Sequence, residues 1–292
     1  MTTTTITPTV DTTTLTITLT APLHHGAGTS GNTALLRTHE ITLPDGTHTR
    51  VPFVSANSVR HGLRDALAWH AARELNIPDG SLAKGVVDLL WSGGAVTATG
   101  AQVDLDIARR VDDVFPALGL LGYAAKSDIV AGTLRVSDLE VVARENAWRL
   151  PADLQALPHA QQGVAAYRTE EFGTRHDITS TPVARFVDAA QQVTGTQMIY
   201  DVQALKAGTV LYGTVSLTPA ATEGHRVALG AALALWAPDG IVRLGAKSAL
   251  GYGAATVTGV DWATVNDQLV EWTGHIAHER DAILTLLADL AA

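Results

Sequence analysis

The chain has 292 residues, 46% of them hydrophobic, and a formal charge of −9. That length buries a full core, as one elaborated domain or two small ones. The absence of cysteine excludes disulfides, zinc-thiolate sites and cysteine nucleophiles, and the acidic balance argues against a generic nucleic-acid binder, which draws long-range attraction from a basic surface.

No apolar run reaches bilayer length. The start, Met1-Thr-Thr-Thr-Thr-Ile-Thr-Pro8, lacks the basic residues and apolar block of a secretion signal. A cytoplasmic address with no membrane partner is the expectation.

Thr12 to Thr20 alternates Leu15, Ile17 and Leu19 with threonines, the period of a half-buried strand. Ser55 or Asn57 can cap a helix carrying Val59, Leu63, Ala66, Leu67, Ala71 and Leu75 on one face, stopped by Pro78-Asp-Gly80. A shorter helix is predicted over 82–91 and a strand over 132–142, with Leu134 and Val136 inward and Arg135 and Ser137 outward. A strand over 208–218, a core helix over 224–236 and a strand over 251–260 follow. Last comes a helix over 263–290, with a break placed near Gly274.

The order strand, helix, strand, strand, helix, strand predicts an α+β fold with a ferredoxin-like (RRM-like) βαββαβ core. The connections 22–54, 76–131 and 143–207 are too long for simple loops in a compact domain, so they are expected to be functional insertions with structure of their own. The core then comprises about 12–75, 132–142 and 208–292 of one domain spanning 1–292.

Charge is uneven. Thr49 to Ala72 holds three arginines against one aspartate, and Val242 to Val260 holds Arg243 and Lys247 with no acid. The second stretch contains Leu244-Gly-Ala-Lys-Ser-Ala-Leu-Gly-Tyr-Gly253, whose glycines let backbone N–H groups turn toward an anion. The first contains Val54-Ser-Ala-Asn-Ser-Val-Arg-His-Gly-Leu-Arg64, which offers hydroxyls, a helix N-terminus and two arginines one turn apart. The two segments are expected to converge on one sugar-phosphate strand.

Taken in order, these segments resemble the RAMP superfamily of CRISPR-associated proteins, specifically its backbone subunit, the Cas-seven family. Leu23-His-His-Gly-Ala-Gly28 is similar to the family's His-Gly turn after the first strand, and Val54 to Arg64 to its Gly-Ser-Ser-Leu-Lys-Gly-x-Leu-Arg helix start. Leu120-Leu-Gly122 through Gly132-Thr-Leu-Arg-Val-Ser-Asp138 resembles its Leu-Phe-Gly segment and following strand, and Gly245 to Gly253 its glycine loop. Ser55-Ala56 stands where the family has Pro-Gly, while Ala246 and Leu250 replace a glycine and an arginine. These departures, with no acid but Glu40 between Pro22 and Thr42, look most like the type IV branch.

The resemblance implies a helical lid at 76–131 and a protruding thumb at 143–207. It also implies subunits stacked head to tail on a guide RNA, with Cas-five-like and large subunits at the ends. The RNA-binding residues are then Ser55, Asn57, Ser58, Arg60, Arg64, Arg135, Gly245, Lys247, Ser248 and Tyr252; the mix of aromatics and arginines over 165–200 adds Arg168, Arg175 and Arg185, a composition that equally suits a small satellite core. On sequence alone Arg60 and Arg64 read as a solvated helix face, whereas for Lys247 the ligand-binding reading stands ahead of a turn lysine facing water, and Arg135 either faces the RNA or pairs with Asp138.

Target-cleaving type III members carry an aspartate in the loop after the first strand. Here the matching position falls near Ser30-Gly31-Asn32, which implies binding without cleavage and leaves Asp45 and Glu40 as outside candidates. His24 and His25 suggest the rival class, a RAMP endoribonuclease with a histidine acid or base, or a metal-dependent target nuclease with His39 and Glu40 nearby. A turn histidine bonded to backbone is the plainer reading, and no cofactor or metal is expected.

Overall fold

A computed structural model of the chain describes residues 12–96, 105–175 and 198–292, with only the backbone at positions 175 and 198. The strands are β1 (Thr12–Leu19), β2 (Gly26–Ser30), β3 (Thr33–Leu36), β4 (Thr38–Thr42), β5 (His48–Val54), β6 (Tyr123–Ala125), β7 (Asp128–Val130), β8 (Leu134–Val136), β9 (Leu139–Val141), β10 (Arg168–Arg175), β11 (Met198–Leu205), β12 (Val210–Leu217), β13 (Ile241–Arg243) and β14 (Ala254–Thr258). The helices are α1 (Ala56–Glu74), α2 (Lys84–Val87), α3 (Leu105–Val114), α4 (Pro116–Leu121), α5 (Ala152–Gln155), α6 (Glu223–Trp236), α7 (Trp262–His278) and α8 (Arg280–Ala291).

The largest sheet runs β13, β14, β1, β12, β9, β5, β4, with β8 also paired to β12. Its βαββαβ core is ferredoxin-like: β1, α1, the β8 and β9 pair, β12, α6 and β14 lie with the fourth strand beside the first and the third beside the second. Leu15, Ile17 and Leu19 are buried while the threonines between them are half-exposed, as the alternation requires. The outward placement of Arg135 and Ser137 is also observed.

Ser55 is the N-cap of α1, its Oγ accepting the Ser58 amide at 3.3 Å. Val59, Leu63, Leu67 and Ala71 are buried on its inner face. The helix ends at Glu74, and Asn76 in the left-handed region (φ 51°) turns the chain before Pro78 does. Helix α6 is buried on nearly every side, from Val227 to Ala234, with α7, α1 and α4 packed against it. Gly230 lets α7 approach closely: a Cβ there would sit 2.8 Å from the Gln268 Cβ, and the Gln268 amide would have to swing aside.

Three expected elements differ in detail. The helix over 82–91 is α2 followed by a π-helical turn, Asp88–Ser92, closed by Gly93 and Gly94, both at positive φ. The strand over 132–142 is split in two, because Ser137 Oγ takes the Thr214 amide at 2.8 Å and Asp138 turns to accept the Ala56 amide at 2.7 Å. The C-terminal helix breaks at Glu279 rather than Gly274. Arg280 binds the Leu75 carbonyl through Nε (3.2 Å) and Nη2 (2.9 Å), fixing the junction, whereas Gly274 sits in open space within α7.

Two of the long connections meet each other. Strand β3 from the first pairs in parallel with β11 from the third, giving a second sheet of order β10, β11, β3, β2. The segment after β9 closes a small core of Val142, Leu150, Leu154 and Ala160 over Val210 and Tyr212. The middle connection supplies α2 to α4 and the β6–β7 hairpin. Among the described residues, no helix is long and apolar enough to cross a membrane.

Candidate nucleic-acid interface

Helix α1 exposes one face to an open cleft of about 670 Å³ whose walls include Asn57, Arg60, Arg64, Gly93, Gly122 and Arg135, and whose lining contains no carboxylate. Arg60 donates Nη1 to the Leu134 carbonyl and Nη2 to the Leu121 carbonyl, both at 2.8 Å. Arg64 donates Nη2 to Leu121 (3.1 Å) and Gly122 (2.8 Å), with Nη1 toward the Leu89 carbonyl at 3.5 Å. Arg135 is exposed and bonds the Gly132 carbonyl at 2.8 Å. Among the described residues none of the three arginines forms an ion pair with an acid, so Arg135 does not pair with Asp138.

The charge in this cleft is therefore uncompensated. Burial, and then the neighbouring Arg60, bring Arg64 down to about 10. Burial, and then Arg135, hold Arg60 below the usual arginine range. Backbone carbonyls satisfy the N–H groups and fix the guanidiniums, but they supply only dipoles. A bound anion would offset both the desolvation and the smaller arginine–arginine repulsion behind these shifts.

The floor of the cleft depends on two crossing glycines. A Cβ on Gly132 would lie 2.4 Å from the Leu120 oxygen, and one on Gly122 would lie 2.6 Å from the Gly132 nitrogen. Only Gly permits this approach, which aims the 121 and 122 carbonyls at the arginines.

The glycine loop lies elsewhere. The Ala246 amide bonds the His24 carbonyl at 2.8 Å and the Gly253 amide bonds Pro22 at 2.7 Å, docking the loop on the turn after β1. Gly245 (φ 71°) is forced, since a Cβ would meet the His24 oxygen at 2.5 Å. Lys247 is left-handed (φ 63°) and stands 5.8 Å over the Tyr200 ring. Ser248 is exposed, and the Tyr252 hydroxyl donates a hydrogen bond to Glu171; burial, and then this bond, push the tyrosine pKa up to about 12.

The loop and the helix start are joined rather than merged. His24 carries the loop, and the next residue, His25, accepts the Ser55 amide on Nε2 at 3.2 Å. The loop adds no residue to the arginine cleft.

The model of the RAMP superfamily matches residues 16–256. The chain belongs to the RAMP superfamily. Comparison with curated protein sequences gives no significant match. Among solved structures, the RAMP chain is similar in fold to a chain of a Type IV-B CRISPR complex. The TM-score is 0.58 at 21% identity, covering 87% of this chain and 92% of that one.

The remaining residues of this RAMP protein fall as follows. Ser58 is half-buried in the first turn of α1. Arg168 opens β10 and Arg175 closes it, the latter described by backbone alone, while Arg185 lies outside the described residues. His24 is buried, with Nδ1 at 2.7 Å from the Gln203 carbonyl. Burial, with Arg37 and His24 adding to it, holds His25 below the ordinary imidazole value. Both histidines thus bond backbone. Asp45 is spent on a turn, accepting the Thr47 amide and hydroxyl, and Glu40 is exposed on β4.

Glycines 122 and 132, Glu171 and Tyr200 were not singled out as site residues by sequence reasoning. Leu120-Leu-Gly122 was visible as a motif, but nothing in it announced that its carbonyls would hold arginines. Glu171 meets Tyr252 across 81 residues of chain, a pairing that leaves no local pattern.

Proposed function

We propose that this RAMP chain is a non-catalytic, RNA-binding backbone subunit of a type IV CRISPR ribonucleoprotein. It stacks head to tail along a guide or other single-stranded RNA. The observation that carries this reading is the convergence of Arg60, Arg64 and Arg135 in a cleft with no acid, on a chain of net charge −9. Such a body keeps its positive charge for a site, and phosphates of a threaded strand are the anions that suit a fork of fixed guanidiniums.

Superfamily membership and the likeness to a Type IV-B CRISPR complex chain support the assembly reading. The proposed partners are the RNA, further copies of the chain, and Cas-five-like and large subunits. Residues 76–131 act as the lid and 143–207 as the thumb, and contacts between subunits carry much of the filament's strength against the acidic charge. The backbone bonds of His24 and His25 favour the scaffold over a ribonuclease.

The test is the ultraviolet absorbance ratio of the purified protein, with sizing before and after ribonuclease. The scaffold predicts large particles rich in nucleic acid that protect RNA in a ladder of lengths. A nucleic-acid-free monomer, or RNA cleavage lost in His24→Ala or His25→Ala, contradicts it.

A further inference from the structure

The open face of the β5 and β9 pair carries a group of side chains that the RNA reading does not use. His39 from β4 stacks flat on Phe53 of β5, ring centroids 4.3 Å apart at 13°, which fixes its imidazole. Its Nε2 is buried without a hydrogen-bond partner, although Glu140 Oε2 lies only 3.4 Å away. Asp138 and Glu140, two residues apart across the start of β9, put their carboxylates on the same side.

One donor atom from each of His39, Asp138 and Glu140 lies within 4.8 Å of the other two. We propose that His39, Asp138 and Glu140 form a binding site for one divalent first-row transition-metal ion.

The chemistry of the donor set selects the ion. One imidazole nitrogen with two carboxylates suits Zn²⁺, Co²⁺ or Mn²⁺, whereas Mg²⁺ and Ca²⁺ prefer all-oxygen shells. Three protein ligands leave a position for water, and the tetrahedral separation between donors, about 3.3 Å for ligands at about 2 Å, requires a modest inward movement.

The surroundings fit a held ion. Arg149 Nη2 bonds the same oxygen, Glu140 Oε2, at 2.7 Å and fixes that carboxylate, as outer partners of metal ligands do. The Ala56 amide orients Asp138 in the same way, at 2.7 Å. With Arg149 included, the group holds two negative charges and one positive, so a dication is not opposed by the local charge. The bound ion would tie the β4–β5 hairpin to β9 beside the start of α1. The proposal includes no reaction and stands independently of RNA binding.

Tag-free, metal-stripped full-length protein titrated with Co²⁺ alone, then with competing Zn²⁺, tests the site by the visible absorption of bound Co²⁺ and by melting temperature. Expected are one ion per chain, a rise in melting temperature on loading, and affinity at least about 10-fold weaker in His39→Gln and Glu140→Gln. His48→Gln, an exposed histidine on β5, should bind as the parent does. Should Glu140→Gln fail to fold, His39→Gln decides alone. No uptake by the parent, as expected if His39 merely pairs with Glu140, or equal uptake by parent and His39→Gln, overturns the proposal.

Discussion

Arg64 places Nη2 2.8 Å from the carbonyl oxygen of Gly122, holding a charged helix face against the loop that follows α4. The bond is part of the fold as well as of the cleft. Arg64→Ala should cost about 2 kcal/mol, because it strips a charged donor from half-buried carbonyls. Arg64→Lys should cost less but not nothing, since an ammonium cannot fork to Leu121 and Gly122 as the guanidinium does. Urea unfolding measures both, and a loss for Arg64→Ala under about 0.5 kcal/mol, the range of ordinary surface changes, would sink the structural half of this role.

Two glycines predict opposite outcomes. Gly132→Ala pushes a Cβ to 2.4 Å from the Leu120 oxygen and 2.5 Å from the Gly122 nitrogen, so it should destabilise by about 1 to 3 kcal/mol and deform the cleft floor. Gly274→Ala, in open space within α7, should stabilise by up to about 1 kcal/mol. Thermal melts of the two variants side by side check the contrast.

What the sequence made legible was local. The alternation of Leu15, Ile17 and Leu19 marks β1 whatever surrounds it, and Ser55 before an apolar stripe marks the start of α1. The second sheet was not legible, because Thr33 and Ala34 pair with Asp201 and Val202 from a distant insertion. Arg60 and Arg64 were readable as a pair by their spacing. Their environment was not, since the groups that hold them are main-chain carbonyls, which every residue has. Reading Gly274 as a break failed because one exposed glycine costs a helix little, whereas the Arg280 to Leu75 bonds set the junction.

His225 gives the fold an acid-sensitive joint. The imidazole is fully buried, accepts the Thr222 amide on Nδ1 at 3.0 Å and donates Nε2–H to Asp112 at 3.1 Å, replacing the usual Glu or Gln of a capping box. Burial lowers its pKa, with Asp112 opposing, so the unfolded chain takes up a proton first as pH falls. Stability from this residue is present above pH 6.5 and declines below it toward the folded pKa. His25 and His70, also lowered by burial, add in the same direction. His225→Gln should keep the cap and flatten the pH dependence of the melting temperature between about pH 7 and 5. An unchanged slope would remove His225 from the account.

Tyr252 latches the glycine loop to β10 through Glu171. Its phenolate should be the late one in an ultraviolet titration, appearing only near pH 12. Tyr252→Phe should delete that phase and cost about 1 kcal/mol, a modest amount for one half-exposed hydrogen bond. A titration in which every tyrosine ionises near the ordinary value would mean the latch is open in solution.

The cleft's role is tested most directly at Arg135, which is exposed and contributes least to the fold. Binding of a labelled single-stranded RNA is followed by fluorescence anisotropy over a salt series, for the parent and for Arg135→Ala. Weaker binding is predicted, with the slope of log K against log salt reduced by about 0.7 because one fewer phosphate is neutralised. Identical affinity and slope in the two proteins would contradict the assignment of this cleft to RNA.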